Sequence, residues 1–310
     1  MLRTRPHFLL VFALVAAMAA LAAGCVDDKA ANTAGEDSQG DSKAGSDGTT
    51  GSGGDSGGDS GGDSGADAPD GGGVSVLSPP AGGYAAVFLD VGQGDATLII
   101  ASTGEVALID GGIGAGTLGK RLSRLGLKRL DIVIATHADA DHITGLTRAF
   151  ENFAVTEVWW NGVTKGSQIF DSFLEAAQKE PGATVHIARH GDHIKLGNLD
   201  LEVLHPGDGA DTSSDHNNQS VVIQTGCAGG WLLMPGDAEK PAEDEMFAAG
   251  GLSDVDVLHV AHHGSDSGTT AALLALVKPE HAIISAGLTN AYGHPDKSVV
   301  DRLEGIGAKI

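Results

Sequence analysis

Positive charge is scarce in this sequence, because 19 Lys and Arg residues face 41 Asp and Glu residues and the formal net charge is −22. Residues 81–310 alone hold 15 basic and 30 acidic side chains. An acidic surface repels a phosphate backbone at long range. The charge balance therefore disfavours binding of long nucleic acids unless basic residues gather locally. Five of them are close in sequence on a predicted helix and turn, although an ordinary solvated face is the alternative: Lys120, Arg121, Arg124, Lys128 and Arg129.

Cysteine occurs only twice, at Cys25 and Cys227. Residues 1–25 have a short basic start, an apolar run over 8–23 and small residues before Cys25, which is typical of a bacterial export signal. The final AAGC resembles the lipobox of bacterial lipoproteins, in which the cysteine carries lipid, although Leu21 lies one place too early. Ordinary cleavage and an uncleaved anchor helix are the alternatives. We expect an exported lipoprotein whose lipid anchors it to a membrane of the cell envelope, and a lipidated Cys25 excludes an intrachain disulfide.

Large apolar residues are almost absent from residues 26–80, which consist mainly of Gly, Ser, Asp, Ala and Thr and include the tandem repeat GGDSGGDSGGDS. Such a composition cannot bury enough apolar surface to form a core. A calcium-binding repeat would need a longer period with an apolar position. We therefore predict a disordered linker whose ends lie roughly 40 Å apart on average. The folded domain is predicted to occupy residues 81–310.

The rest of the chain alternates strand-like and helix-like segments. Early strands are predicted over 84–91, 96–102, 105–112 and 130–136, with a helix between the last two that presents Leu118, Leu122 and Leu125 on one face. Later strands are predicted over 156–160, 183–188, 199–206, 220–226, 231–237, 254–264 and 281–287, and later helices near 143–152, 167–179, 239–249, 269–276 and 296–306. These strands are too many for one simple parallel sheet. The pattern predicts an α/β domain of two packed sheets with helices outside.

The segment THADADH follows the predicted strand over 130–136 and brings four potential metal ligands together: His137, Asp139, Asp141 and His142. Binding sites of α/β sheets lie at strand ends. Imidazole and carboxylate ligands together suit divalent cations, and two such pairs suit two cations in one site. A solvated polar turn is the alternative. The spacing predicts a dinuclear metal centre.

Three further segments bring polar residues to strand ends. Asp237 follows the strand over 231–237, where it could instead cap a helix. His262 and His263 end the strand over 254–264, where a neutral buried histidine is the alternative, and His294 lies in the segment AYGHP. Four ligands cannot complete two metal shells. A carboxylate shared between two cations and one or two more imidazoles could complete them.

Seven segments, in this order, resemble the metallo-β-lactamase superfamily: FLDVGQGDA, LIDGG, THADADH, NNQS, PGDA, HHGS and YGHP. More narrowly, they resemble the metallo-β-lactamase-like domain of ComEC-type competence proteins, which take up DNA. The resemblance implies an αββα four-layer sandwich that holds two divalent cations, zinc or manganese. By motif position, the implied metal ligands are His137, Asp139, Asp141, His142, Asp237 and His262, with Asp237 bridging. The implied catalytic residues are Asp141, His263 and His294, with His263 and His294 acting either as ligands or as transition-state contacts. Asp110 is expected to accept a hydrogen bond that orients the ligand loop.

Two departures from the family pattern bear on the substrate. Asp139 stands where β-lactam and thioester hydrolases carry the second histidine of HxHxDH, and Asn217 and Asn218 stand near the missing third-motif histidine, with His216 as a possible substitute. Both changes enrich the site in oxygen and shift its preference from zinc toward manganese. We expect a metal-dependent phosphodiesterase or nuclease that uses a hydroxide held between the cations, with DNA among the candidate substrates. The alternatives are a β-lactam or thioester hydrolase and a non-catalytic surface-binding lipoprotein.

Overall fold

The computed structural model describes residues 18–23, 78–208, 215–227 and 230–310. The predicted linker therefore lies almost entirely outside the described residues, as does most of the predicted export signal. Within that signal, the backbone of Met18–Ala23 forms a strand that pairs antiparallel with Tyr84–Leu89. Among the described residues, no helix has the length and apolar character needed to cross a membrane.

The first sheet contains the early strands. In spatial order, the described strands are β1 (Met18–Ala23), β2 (Tyr84–Leu89), β3 (Thr97–Ala101), β4 (Val106–Ile109), β5 (Arg129–Ala135), β6 (Ala154–Trp160) and β7 (Thr184–Ile187). Pairing is antiparallel from β1 to β4 and parallel from β4 to β7. Parallel neighbours need long crossovers. Helices supply them here: α1 (Ala115–Arg124), α2 (Ala140–Asn152) and α3 (Gln168–Lys179).

The second sheet repeats this plan. In chain order, its described strands are β8 (His193–Leu196), β9 (Leu199–His205), β10 (Val222–Cys227), β11 (Gly230–Met234), β12 (Val257–His259) and β13 (His281–Ile283). Pairing is antiparallel from β8 to β11 and parallel from β11 to β13. The helices of this half are α4 (Lys240–Ala249), α5 (Ala271–Val277) and α6 (Lys297–Gly305).

Strand β2 shows how the layers form, since its side chains alternate between two apolar clusters. Ala85 and Val87 pack in one cluster with Phe173 of α3, whereas Ala86 and its neighbours on the other face pack with Leu201 of the second sheet. A third cluster joins the second sheet to α4, α5 and α6. Central strands buried on both faces read as continuous apolar runs. The predicted αββα four-layer sandwich is confirmed.

Three details of the second sheet differ from the sequence-based expectation. The predicted strand over 281–287 is a strand only over His281–Ile283. The strand β8 was not predicted, because its alternation of exposed and buried residues lasts only four positions. The predicted strand over 254–264 is a strand only over Val257–His259. It ends in a tight turn in which His262 and His263 have φ values of +49° and +56°. A left-handed backbone is rare for residues other than glycine and often marks a functional site.

Candidate metal centre

The candidate site lies where two pairs of parallel strands end. Asp110 follows β4 and His137 follows β5 in the first sheet. Asp237 follows β11, and the pair His262 and His263 follows β12, in the second sheet. The carboxyl ends of adjacent parallel strands meet at one edge of a sheet. Each sheet therefore brings its own polar residues together.

Glycines allow the ligand-bearing end of α2 to lie directly against the loop after β4. Gly111 donates its N–H to the carbonyl of His142 at 2.7 Å, and Gly145 donates to the carbonyl of Gly112 at 3.0 Å. A Cβ atom at Gly145 would lie 1.9 Å from the carbonyl oxygen of Gly111. Only glycine permits so close a backbone approach. This contact brings His142 beside Asp110.

Asp237 is the centre of the cluster. Its Oδ1 lies 3.2 Å from Nε2 of His142, and its Oδ2 lies 3.7, 3.7 and 3.6 Å from Nε2 of His137, His262 and His263. Most of these separations are too long for hydrogen bonds. Two ligand atoms that bind the same tetrahedral cation, each at about 2.1 Å, lie about 3.4 Å apart. The spacing therefore matches side chains that share metal ions.

The four histidines around Asp237 all turn Nε2 toward it and place Nδ1 against another group. The Nδ1 neighbours are Asp110 Oδ2 for His142 at 2.8 Å, Ser285 O for His263 at 2.9 Å, Glu239 Oε1 for His262 at 3.2 Å and Thr136 Oγ1 for His137 at 3.1 Å. Metal-binding histidines are commonly held in this way through the second ring nitrogen, which fixes the tautomer and the ring orientation.

Several buried atoms of the cluster have no hydrogen-bond partner among the residues that the structure describes. They are Nε2 of His137, His142 and His263, and Oδ1 of Asp95 and Asp237. Each unsatisfied buried polar atom costs about 1–3 kcal/mol. Asp95, His142, Asp237 and His263 also offer ligand atoms that all lie within 4.8 Å of one another. A divalent cation would satisfy such atoms, so the cluster fits the predicted metal, while the identity and number of ions stay predictions.

Carboxylates keep two imidazoles protonated in the metal-free chain. Burial opposes the charge on His142, but the carboxylates of Asp237 and Asp110 outweigh it and raise the pKa of His142 well above its usual value. Burial also opposes the charge on His263, yet nearby carboxylates raise its pKa to about 11. His137 differs, because burial and the neighbouring charge on His142 lower its pKa. The cluster thus has a negative field that a cation can neutralise in place of these protons.

Asp110 connects the strand end to the ligand loop. Its Oδ1 accepts the backbone N–H of Thr136 at 2.8 Å, and its Oδ2 accepts the Thr136 hydroxyl at 2.7 Å as well as contacting His142. The backbone at Asp110 is left-handed, with φ of +57°. The contact expected for Asp110 is therefore present.

The two remaining carboxylates of the THADADH motif have different surroundings. Asp141 joins the cluster, since its Oδ2 lies 3.2 Å from Nε2 of His263. Asp139 lies further out, with Oδ1 4.0 Å from Nε2 of His137 and 2.5 Å from Nζ of Lys165. Lys165 was not among the residues singled out from the sequence. Whether Asp139 binds metal, as the motif implies, stays a prediction.

The sequence left the roles of His263 and His294 undivided, and the structure places them differently. His263 is buried within the cluster, as described above. His294 lies beside His262, with ring centroids 5.8 Å apart, and its Nδ1 is 3.2 Å from Oδ2 of Asp296. The exposed ring of Tyr292 stacks on His294 with an interplanar angle of 10°. His294 is therefore at the rim of the cluster.

Sequence reasoning missed Asp95 and His259. Oδ1 of Asp95 lies 3.4 Å from Nδ1 of His263 and 3.6 Å from Nε2 of His259, and all three side chains are buried. Asp95 lies two residues before Thr97, the first residue of β3, which pairs with Ile109 at the end of the antiparallel β4. The GQGDA segment could have identified Asp95 as a site residue. It leads into β3, and the start of β3 lies at the same sheet edge as the end of β4, which Asp110 follows.

The predicted basic patch is partly neutralised. Arg121 Nη2 lies 3.1 Å from Oδ2 of Asp90, and Arg129 Nε lies 3.0 Å from Oδ1 of Asp131. Two of its five cations therefore pair with acidic neighbours. This pairing weakens the case for a surface that binds a long polyanion.

Two mixed sheets between helices, with a His and Asp cluster at the strand ends, define the αββα fold of metal-dependent hydrolases. Residues 89–287 match the family model of the metallo-beta-lactamase superfamily, and the chain belongs to that superfamily. ComE operon protein 3 of Bacillus subtilis (strain 168) is 31% identical over 238 residues, which cover 70% of this chain and 30% of the relative. Competence protein ComA of Neisseria gonorrhoeae is 29% identical over 234 residues, 74% of this chain and 31% of the relative.

The matched region thus spans about a third of the length of these curated relatives. Among solved structures, the metallo-beta-lactamase fold protein YhfI from Bacillus subtilis aligns with a TM-score of 0.44 and 14% identity, covering 70% of this chain and 87% of that protein. The resemblance to the superfamily and to its competence-type branch is confirmed.

Proposed function

We propose that the chain is an exported metal-dependent phosphodiesterase. The observation that carries this proposal is the convergence of four imidazole Nε2 atoms on Asp237, next to further carboxylates, in a cluster with unsatisfied buried atoms. The residues whose positions suit metal binding are Asp95, His137, Asp141, His142, Asp237, His262 and His263.

Divalent cations held there would supply Lewis-acid activation of water at neutral pH and neutralise charge on phosphoryl oxygens. The chain's own residues hold the centre in shape, as Asp110 does for His142. Four imidazoles direct Nε2 at Asp237, whereas His294 lies at the rim beside His262, and this position supports a role for His294 as the proton donor to a departing oxygen.

The ligand chemistry favours an anionic substrate over a lactam. The centre offers three carboxylates, those of Asp95, Asp141 and Asp237, beside its four imidazoles. Near the third motif, the amide Nδ2 of Asn217 lies 3.4 Å from Nε2 of His262. Oxygen-rich sites suit manganese while imidazole keeps zinc acceptable. Anionic phosphodiester oxygens bind such cations more strongly than a neutral carbonyl does. The acidic domain and the partly neutralised basic patch favour a small diester over long DNA.

Hydrolysis of bis-(p-nitrophenyl) phosphate by the full chain tests the proposal. The assay is run with manganese and with zinc, because a wrongly loaded site can be inactive. We expect metal-dependent turnover, weak or absent turnover of a β-lactam and of a thioester, and loss of roughly a hundredfold or more in rate for His142→Ala. His193→Ala is the matched control, since His193 is exposed on β8 and pairs with Asp200.

Faster hydrolysis of a β-lactam or thioester than of any diester would refute the phosphodiesterase assignment. Stoichiometric metal binding without turnover of any of these substrates would favour the non-catalytic lipoprotein instead.

We also propose that export ends in lipidation of Cys25, from the apolar run and the AAGC segment. Cleavage before Cys25 would remove Met18–Ala23, so β1 belongs to the uncleaved chain. Cys25→Ser should move the protein from the membrane fraction to a soluble or uncleaved form, and a signal-peptidase inhibitor of the globomycin type should block processing of the native chain. Unchanged processing in both cases would refute lipidation.

A further inference from the structure

Lys165 places a positive charge beside a centre that is otherwise built of carboxylates and imidazoles. Its Nζ lies 2.5 Å from Oδ1 of Asp139, and both side chains are about one third exposed. The ammonium group neutralises Asp139 and keeps further N–H donors, so it lowers the repulsion that the carboxylates exert on an incoming anion.

The loop that carries Lys165 is held in place by buried contacts. It follows β6, which pairs in parallel with β5, so it lies at the same sheet edge as the THADADH motif. Buried Asn161 donates to the carbonyl of Gln219 at 3.0 Å and accepts the N–H of Val163 at 3.0 Å. The carbonyl of Lys165 accepts the N–H of Ser167 at 2.7 Å. These contacts constrain the backbone on both sides of Lys165, which lowers the cost of ordering it when a ligand binds.

Asp139 has a closer partner in Lys165 than in the histidine cluster. The 4.0 Å between its Oδ1 and Nε2 of His137 exceeds the 3.2–3.7 Å that separate Asp237 from its four imidazoles. The contact of Asp139 with the ammonium is direct, which suits an anchor for Lys165.

We propose that Lys165 is the phosphate-binding cation of this site and that Asp139 is a positioning residue that holds it. The ammonium donates hydrogen bonds to a non-bridging oxygen of the phosphodiester. This inference rests on the proposed function for its substrate, while the binding of a phosphate group can be measured without turnover.

The test compares Lys165→Met, Lys165→Arg and Asp139→Asn in the metal-loaded full chain. Inorganic phosphate is titrated calorimetrically, metal content is measured by mass spectrometry, and KM and kcat are measured for bis-(p-nitrophenyl) phosphate. We expect Lys165→Met to weaken phosphate binding and raise KM by roughly 10- to 100-fold with unchanged metal content, because it loses a charge-assisted hydrogen bond. Lys165→Arg should recover part of the loss, and Asp139→Asn should weaken phosphate binding while keeping its metal. Lys195→Met is the control, since Lys195 is an exposed lysine on β8 paired with Asp200.

The outcomes separate this inference from the proposed function. Phosphate binding that depends on Lys165 supports the inference even if no diester is hydrolysed. Wild-type affinity for phosphate in Lys165→Met, or no phosphate binding by the native chain, would overturn it. Loss of metal in Asp139→Asn would show that Asp139 is a ligand and would overturn its role as an anchor.

Discussion

Replacement of Asp110 by asparagine tests whether the contact behind the cluster controls metal affinity. Asparagine has the same shape and tolerates the left-handed backbone at φ of +57°, so the fold should persist. If the amide oxygen of the asparagine keeps the hydrogen bond from the Thr136 N–H, the NH₂ group takes the place of Oδ2. In the native chain that Oδ2 atom lies 2.8 Å from Nδ1 of His142. Two donors cannot share that contact. When His142 is neutral, as metal binding requires, we therefore expect its proton to lie on Nε2, the atom that faces Asp237, instead of on Nδ1.

The size of this effect follows from the lost contact. Removing a carboxylate that orients a metal-binding histidine costs 10- to 100-fold in metal affinity in other proteins, about 1.4–2.7 kcal/mol. We expect a loss of that size for one metal site in Asp110→Asn, measured by competition with a chromogenic chelator. Asp131→Asn is the matched control, because Asp131 also accepts a backbone N–H, that of Val106 at 2.8 Å, but at the start of β5.

Two results would refute this reasoning. Native metal affinity in Asp110→Asn would mean that the contact with Asp110 does not control ligation by His142. An equal loss in Asp131→Asn would mean that any acid-to-amide change in this sheet weakens the fold enough to lower affinity.

Three further changes test the packing around the site, each by urea unfolding of the metal-free chain. Gly145→Ala should lower the free energy of unfolding by about 1–3 kcal/mol, because its Cβ would meet the carbonyl of Gly111, whereas Gly119→Ala, with open space at its Cβ, should not destabilise. Thr270→Ala should cost about 1 kcal/mol through loss of the N-cap of α5, which Thr270→Ser should keep. Burial raises the pKa of Glu243 above 4.5, so the folded chain binds its proton more tightly and its stabilising contribution falls as pH rises from 4.5. Glu243→Gln should therefore gain stability relative to the native chain as the pH rises above 4.5. An opposite trend with pH, or equal effects of the substitutions at positions 145 and 119, would contradict these expectations.

Local sequence patterns were sufficient for the helices, most strands and the residues at strand ends. The central strands are apolar on both faces because helices cover one face and the other sheet covers the second, and this periodicity is visible without coordinates. The position of His137 directly after such a strand predicted where it would lie, since the chain direction fixes which end of a parallel strand meets its neighbours. Edge strands such as β8 are shorter and half exposed, so their pattern is weak.

The amino-acid sequence by itself determined the αββα class, the motif order and the ligand types, because these depend on periodicity and on residues close together in the chain. Only the tertiary structure decided that Asp95 joins the cluster, that His294 lies at its rim and that Lys165 contacts Asp139. Asp95 and Asp237 are 142 residues apart in the chain, and their proximity results from the packing of one sheet on the other. Local periodicity determines which residues leave a strand end, but the distance between two strand ends depends on how the whole core packs.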